Sequence, residues 1–244
     1  MPDAPRESSP APQPFAAFDL RAARRYDAWY ASSEGMKVAA SEEALLGELL
    51  GRFPGAGSLL EVGCGTGHFS RWFARQGLAV VGLDVGQAML AVAGERAGGP
   101  RYAAGSALSL PFTDGAFDLV AFVTSLEFIG ERTRALQEAA RVARRGIVLG
   151  LINQASPLGV WRKAKARFRP SPYRSACFYA PWDLAGVLKA ALGERVQSIA
   201  WRTAVYPGWL PAPGRRLPIG AFLGAAVTLA PAGSRTPRTP CLPS

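Results

Sequence analysis

The chain is short of the residues that build metal and disulfide sites. It has three cysteines, widely spaced, and a single histidine, His68. Scattered cysteines make neither a disulfide framework nor a zinc cluster, so a reducing compartment is expected and metal sites are not. No apolar run is long enough to span a bilayer. The longest candidate, Ile219 to Pro231, is short and rich in Gly and Ala. The N-terminus carries Asp3 and Glu7 and lacks a basic stretch leading into an apolar run, so it does not read as a secretory signal. A cytoplasmic location is the expectation. There is no internal repeat and no nucleophilic triad.

What is present is a balanced globular composition. The 244 residues are 49% hydrophobic and 19% charged, enough for a full core in one α/β domain. The net charge of +10 has two readings. One is a nucleic-acid or acidic-lipid surface. The other is compositional, since Arg, Ala, Gly and Pro are all abundant.

The richest segment is Ser58-Leu-Leu-Glu-Val-Gly-Cys-Gly-Thr-Gly-His-Phe69, followed by Val80-Val-Gly-Leu-Asp84. A short apolar run ends in Glu61, three glycines alternate at Gly63, Gly65 and Gly67, a helical pattern begins, and a second apolar run ends in Asp84. The order is strand, turn, helix, strand, carboxylate. The spacing is G-x-G-x-G; a dinucleotide site needs its third glycine where His68 stands. An acid after the second strand suits a ribose diol. An acid after the first would repel a pyrophosphate and attract an ammonium. A ligand with a ribose, a positive charge and no phosphate satisfies both, and S-adenosylmethionine is such a ligand.

Hydrophobic periodicity orders the rest. Helices are expected over Leu20–Tyr30, from an N-cap at Ser41 to about Leu50, from the glycine turn to about Gln76, from about Gly86 to Arg96, over Arg132–Ala143, over Pro157–Phe168 and from Ala180 to about Leu192. Strands are expected at Ser58–Val62, Ala79–Leu83, Arg101–Ala104, Phe117–Val123, Gly146–Ile152, Arg195–Val205 and Leu217–Leu229. Such alternation predicts a parallel sheet with right-handed crossovers. Residues 1–14, with five prolines, and the tail 231–244 are expected to be disordered, leaving one domain over 15–230.

Glu61-Val-Gly-Cys-Gly-Thr-Gly67, Val81-Gly-Leu-Asp84 with Met89-Leu-Ala, and Leu110-Pro-Phe-Thr-Asp-Gly-Ala-Phe-Asp-Leu-Val120 occur in order. In these motifs the chain resembles the class I S-adenosylmethionine-dependent methyltransferases, nearest to their small-molecule branch. The resemblance implies a Rossmann-like, seven-stranded, mostly parallel sheet with an antiparallel last strand and helices on both faces. It implies S-adenosylmethionine as cofactor. Glu61 would meet the methionine ammonium, Gly63, Cys64, Gly65 and Gly67 the methionine moiety, Asp84 both ribose hydroxyls, and Val85 and Met89 the adenine. Relatives carry a Gly-Asp pair after the third strand; here Gly105-Ser106-Ala107 stands, so Ser106, Ala107 or a backbone amide would serve. Thr124 would lie at the methionine end. Glu127 is the candidate general base. A lid over 15–54 would bring Tyr26 to the cofactor, and a cap over about 155–180 would face the acceptor.

The acceptor is expected to be a small molecule with an oxygen, nitrogen or carbon nucleophile. The basic, aromatic run from Trp161 to Arg174 suits an anionic acceptor or a nucleic acid, or is a solvated helix face. Two rivals stay open: an RNA methyltransferase of the same fold, and a non-enzymatic protein that binds the cofactor. Methyl transfer from a sulfonium needs alignment more than acid–base chemistry, so the missing triad does not argue against an enzyme.

Overall fold

The computed structural model describes residues 19–96, 99–168, 176–206 and 217–231. In chain order the elements are α1 (Leu20–Tyr30), α2 (Ser33–Leu50), β1 (Ser58–Val62), α3 (His68–Arg75), β2 (Ala79–Asp84), α4 (Gln87–Gly94), β3 (Arg101–Ala104) and β4 (Phe117–Val123). There follow a short 3-10 turn (Leu126–Phe128), α5 (Arg132–Val142), β5 (Ala143–Ile152), α6 (Pro157–Phe168), α7 (Pro181–Leu192), β6 (Val196–Ala204) and β7 (Phe222–Leu229). The strands form one sheet in the order β3-β2-β1-β4-β5-β7-β6. β7 runs antiparallel to both of its neighbours, and the other six strands are parallel to one another. The seven-stranded Rossmann-like arrangement is the one the motifs implied, with β7 inserted inside the edge strand β6.

Strand alternation builds two cores. Leu60, Val62, Val120, Phe122, Ile147 and Leu149 face one side with α5 and α7. Leu59, Leu119, Ala121 and Val148 face the other with α2 and α3. On that second face Gly224 lets α2 lie against the sheet, since a Cβ there would stand 2.7 Å from Leu49 Cδ1 and 2.8 Å from Leu45 Cδ2.

One expected helix start is wrong. α2 begins at Ser33, capped by Ser32, whose Oγ accepts from the Gly35 N–H at 3.0 Å. Ser41 sits inside the helix and its hydroxyl bonds back to the Lys37 carbonyl at 3.0 Å. Serine followed by acids matches a cap in sequence, but burial of Ala39, Glu42, Leu45 and Leu46 on one continuous face carries the helix through. The last strand starts at Phe222, five residues after the expected Leu217. Of the terminal segments expected to be disordered, residues 1–14 and 232–244 lie outside the described residues, as do Arg169 to Ser175.

A side-chain clip sets the amino edge of the sheet. Asp118 Oδ2 accepts from the N–H groups of Gly57 (2.9 Å) and Ser58 (3.1 Å), while Arg144 Nη2 donates to Oδ1 at 3.0 Å. Ser58 Oγ in turn accepts from the Asp118 N–H at 2.9 Å. The clip ties the starts of β1, β4 and β5. Burial pushes the Asp118 carboxyl up, but the donors outweigh it and hold the group below its usual range. A depressed carboxylate stabilises the fold above its unfolded pKa, and that stability is lost as pH falls through the folded value. Asp118→Ala is expected to cost about 1–3 kcal/mol in urea unfolding at pH 7, with the deficit shrinking in acid.

Candidate functional site

The sheet order reverses between β1 and β4: from β1 the chain crosses through α3 to β2 on one side, and from β4 it crosses through α5 to β5 on the other. Ligands in open α/β sheets bind at such a point. There a cavity opens across the carboxyl ends of β2, β1 and β4. Its walls include Glu61 to Thr66, Asp84 and Val85, Val123 to Ser125, Phe128 and Ile129, with Tyr26 and Tyr30 of α1 over it.

The glycine turn is held from below. Gly63 and Cys64 donate their N–H groups to the Leu83 carbonyl at 2.7 and 3.1 Å, and Gly65 donates to Asp84 Oδ2 at 2.8 Å. The alternating glycines all have positive φ, of 74° (Gly63), 55° (Gly65) and 75° (Gly67), a region where side chains are strained. Their surroundings differ. A Cβ on Gly63 would stand 2.5 Å from Ser125 Cβ, and one on Gly67 would stand 2.2 Å from the Tyr102 hydroxyl. At Gly65 the nearest atom would be in the Tyr26 ring, 3.8 Å away, so this glycine alone of the three opens its empty side to the cavity.

Both framing acids are buried. Asp84 accepts from Gly65 and, through Oδ1, from the Gly86 N–H at 2.7 Å. Burial raises its pKa, and those backbone donors work against the rise. Glu61 accepts a hydrogen bond from the Ser70 hydroxyl and is pushed up to about 8, first by burial, against the Ser70 bond, and then by Asp84 nearby. At neutral pH Glu61 therefore holds a proton unless a cation faces it.

The aromatic wall is a small stack. Tyr26 and Tyr30 meet edge to face with centroids 5.6 Å apart, and Tyr30 stacks on His68 at 3.9 Å. His68 Nε2 lies 3.2 Å from Glu43 Oε1. Burial, then Arg71 and Arg75, lower the His68 pKa to about 4, so the ring is neutral at pH 7. Beneath α1, buried Asp27 pairs with Arg96 and lies 3.7 Å from Arg71, docking the helix onto α3 and the end of α4.

Of the residues singled out from the sequence, Tyr26, Glu61, Gly63, Cys64, Gly65, Asp84, Val85, Met89, Ala107 and Thr124 line the cavity. Met89 is also core, packed with Ala23 and Val92. Thr124 has a φ of 47°, uncommon for a β-branched residue, held by its N–H on the Gly150 carbonyl at 2.7 Å. Gly67, Ser106 and Glu127 do not line it. The Ser106 hydroxyl is turned to the Leu108 N–H at 3.2 Å, inside its own turn. Glu127, expected to face the acceptor, is fully buried and accepts from the Ile152 N–H at 2.6 Å. Its Oε2 has no hydrogen-bond partner among the described residues, and burial pushes the group up to about 7. The 3-10 turn from Leu126 swings this side chain toward β5 and puts Phe128 and Ile129 in the wall instead. Tyr30 stood one helical turn from Tyr26 in the sequence; Phe128, Ile129 and the His68 stack carried no such signal.

A methyltransferase-domain family model matches residues 60–149. The chain is 31% identical over 185 residues to a demethylmenaquinone methyltransferase of Parafrankia sp., covering 62% of this chain and 71% of that one. It is 36% identical over 97 residues to a malonyl-[acyl-carrier protein] O-methyltransferase of Pectobacterium atrosepticum, covering 40% of this chain and only 38% of the relative's length. In fold it is similar to a Thermotoga maritima structure described as an S-adenosylmethionine-dependent methyltransferase and possible histamine N-methyltransferase. The TM-score is 0.64 at 24% identity, over 86% of this chain and 97% of that one.

Glu61 and Glu127 make stability depend on pH with a definite sign. Each has a folded pKa above the ordinary carboxyl value of 4.5, so the fold binds more protons than the unfolded chain between that value and about 7 or 8. Their contribution is complete below 4.5 and is lost as pH rises through the folded values, at about 1.4 kcal/mol per pH unit per group. Urea unfolding of the ligand-free protein should show falling stability from pH 5 to 7. Glu127→Gln should flatten that slope by about one group's share; an unchanged slope would refute the assignment.

Proposed function

This chain belongs to the class I S-adenosylmethionine-dependent methyltransferases, and on that premise we propose that it methylates an oxygen, nitrogen or carbon nucleophile of a small molecule held in the cavity across β2, β1 and β4. The observation that carries the reading is the wall itself. Two buried acids and an open glycine, Gly65, stand at the ends of β1 and β2, and an uncharged wall of Val123, Thr124, Phe128 and Ile129 stands at the end of β4.

The residues fit the cofactor. Asp84 spends one lone pair of each oxygen on a backbone N–H, and a carboxylate has about four in all, so both oxygens can still accept from a ribose diol. Glu61 offers an ionisable carboxyl to an ammonium. The rings of Tyr26 and Tyr30 offer faces to a sulfonium, an attraction of about 0.5–2 kcal/mol. Gly65 leaves the backbone bare where a side chain would fill the cavity. Val85, Met89, Gly105 and Ala107 supply a largely apolar slot, with backbone amides in place of the absent acid at Ser106. When bound, the cofactor supplies a methyl group on a positively charged sulfur.

The protein's share of the work is alignment. Glu127 faces β5, and His68 with a pKa of about 4 is a weak base. Neither is a ready base among the described residues, which suits an acceptor that is already nucleophilic at working pH or that loses its proton to water. Holding it in line accounts for about 7–11 kcal/mol of barrier lowering without a base. Docking of α1 by Asp27 keeps the tyrosines over the site.

Calorimetric titration with S-adenosylmethionine and S-adenosylhomocysteine, with NADH as control, tests the reading. Both sulfur compounds should bind and NADH should not. Asp84→Ala should weaken S-adenosylhomocysteine binding about a hundredfold, by loss of charge-assisted hydrogen bonds worth about 1.5–3 kcal/mol together with loosening of the Gly65 turn. Unchanged affinity would sink the model. Glu61 makes a second, independent prediction. Ionisation of Glu61 on meeting an ammonium should release about one proton at pH 7, read as a dependence of the binding heat on buffer ionisation enthalpy. Glu61→Gln should abolish that release.

A further inference from the structure

The cavity does not use the most unusual surface of the molecule. Large apolar side chains left exposed among the described residues gather at the carboxyl edge of the sheet. Met36 lies in the first turn of α2, whose far end delivers the chain to the opposite edge at β1. Leu158, Val160 and Trp161 lie at the start of α6, directly after the carboxyl end of β5. Trp182 opens α7, just after the Asn153–Tyr179 bridge that extends β5. Leu217 precedes β7, which starts opposite Ile152. Val160 is 58%, Trp161 55% and Trp182 67% exposed.

The way α6 sits explains this. Among the residues of α6 whose burial is described Gly159 is buried, and a Cβ there would stand 2.1 Å from the Asn153 carbonyl. Trp161 is two positions on, about 200° round the helix. Ala164 follows on the same stripe and is also exposed. The helix thus turns its smallest residue inward and its tryptophan outward, the reverse of a helix packing onto a core. Residues 157–174 contain six basic residues and no acid. At the amino edge, by contrast, Arg141 pairs with Asp114 and Glu138, and Arg144 with Asp118.

We propose that this carboxyl edge docks on an anionic lipid bilayer, with α6 lying in the interface and Met36, Trp182 and Leu217 touching the same plane. Exposed apolar groups on a segment whose sequence is basic and free of acid match a negatively charged headgroup layer over an apolar interior. No described helix is long and apolar enough to cross a membrane, so the contact is a surface one. A nucleic acid would take the arginines and the indoles, but aliphatic Leu158, Val160, Met36 and Leu217 give it nothing to stack on or pair with. The docked plane is the edge on which the cavity opens, so the site would face the membrane.

The test is sedimentation of the full chain with vesicles of phosphatidylcholine alone or of phosphatidylcholine and phosphatidylglycerol in equal parts. Binding to the anionic vesicles should exceed that to neutral ones by about tenfold or more and weaken with salt. The double variant Trp161→Glu, Trp182→Glu changes only exposed side chains. It should keep the wild-type circular dichroism and melting temperature and lose about tenfold or more in vesicle binding. In the unaltered protein, brominated acyl chains should quench tryptophan fluorescence. Absence of vesicle binding or of quenching overturns the proposal. So does anionic-vesicle binding that the double variant retains in full, accompanied by equal binding of poly(U) RNA, which would mark a polyanion surface.

Discussion

The hydrogen bond from the Gly65 N–H to Asp84, at 2.8 Å, is the interaction on which the site depends. It joins the turn after β1 to the carboxylate that ends β2. With the Gly63 and Cys64 amides on the Leu83 carbonyl, it sets the height of the turn above the sheet. Everything else in the cavity is placed relative to that turn. Ser125 packs under Gly63 and donates to the Val62 carbonyl at 2.7 Å, which draws the loop after β4 to the end of β1. α3 starts at His68, immediately after the turn, and so sets where His68 and Phe69 meet Tyr30 of α1.

Burying two acids at this point has a desolvation cost that the surrounding donors only partly offset. Glu61 and Asp84 share one turn, and both are raised by desolvation. Asp84 has two backbone donors to sustain its charge, whereas Glu61 has one hydroxyl. The two acids are thus unequally held, and of the pair Glu61 is the one pushed up to about 8. Glu127 is a third buried carboxyl with a different position. It bonds to the Ile152 amide, and its own carbonyl accepts from the Cys177 N–H at 2.9 Å, so it links β5 to the chain returning from α6.

The two ends of the sheet are built on opposite principles. The amino edge is closed by Asp118, Arg141 and Arg144 with matched partners. The carboxyl edge is left open, with the cavity between strand ends and apolar groups at the starts of α6 and α7. That asymmetry follows from parallel topology. Strand ends at one edge diverge into loops that can hold ligands, while the other edge receives chain entering the sheet and tolerates clips.

The strands, the glycine turn and both framing acids were legible in the sequence because local rules determine them. Apolar runs of five or six residues make central strands, positive φ demands glycine, and an acid at a strand end has one place to go. The order of the sheet and the cofactor class followed from a resemblance carried by three motifs. Three things were decided only by tertiary structure. Ser41 lost its cap role because a buried face drew the helix back to Ser33. Ser106 and Glu127 left the cavity because a two-residue turn and a 3-10 turn rotated them toward nearby backbone donors. Phe128, Ile129 and His68 entered it because the neighbours that form a wall come from distant parts of the chain. A residue's chemistry is written in its own position, but the direction a side chain points depends on which backbone groups the packed fold leaves within its reach.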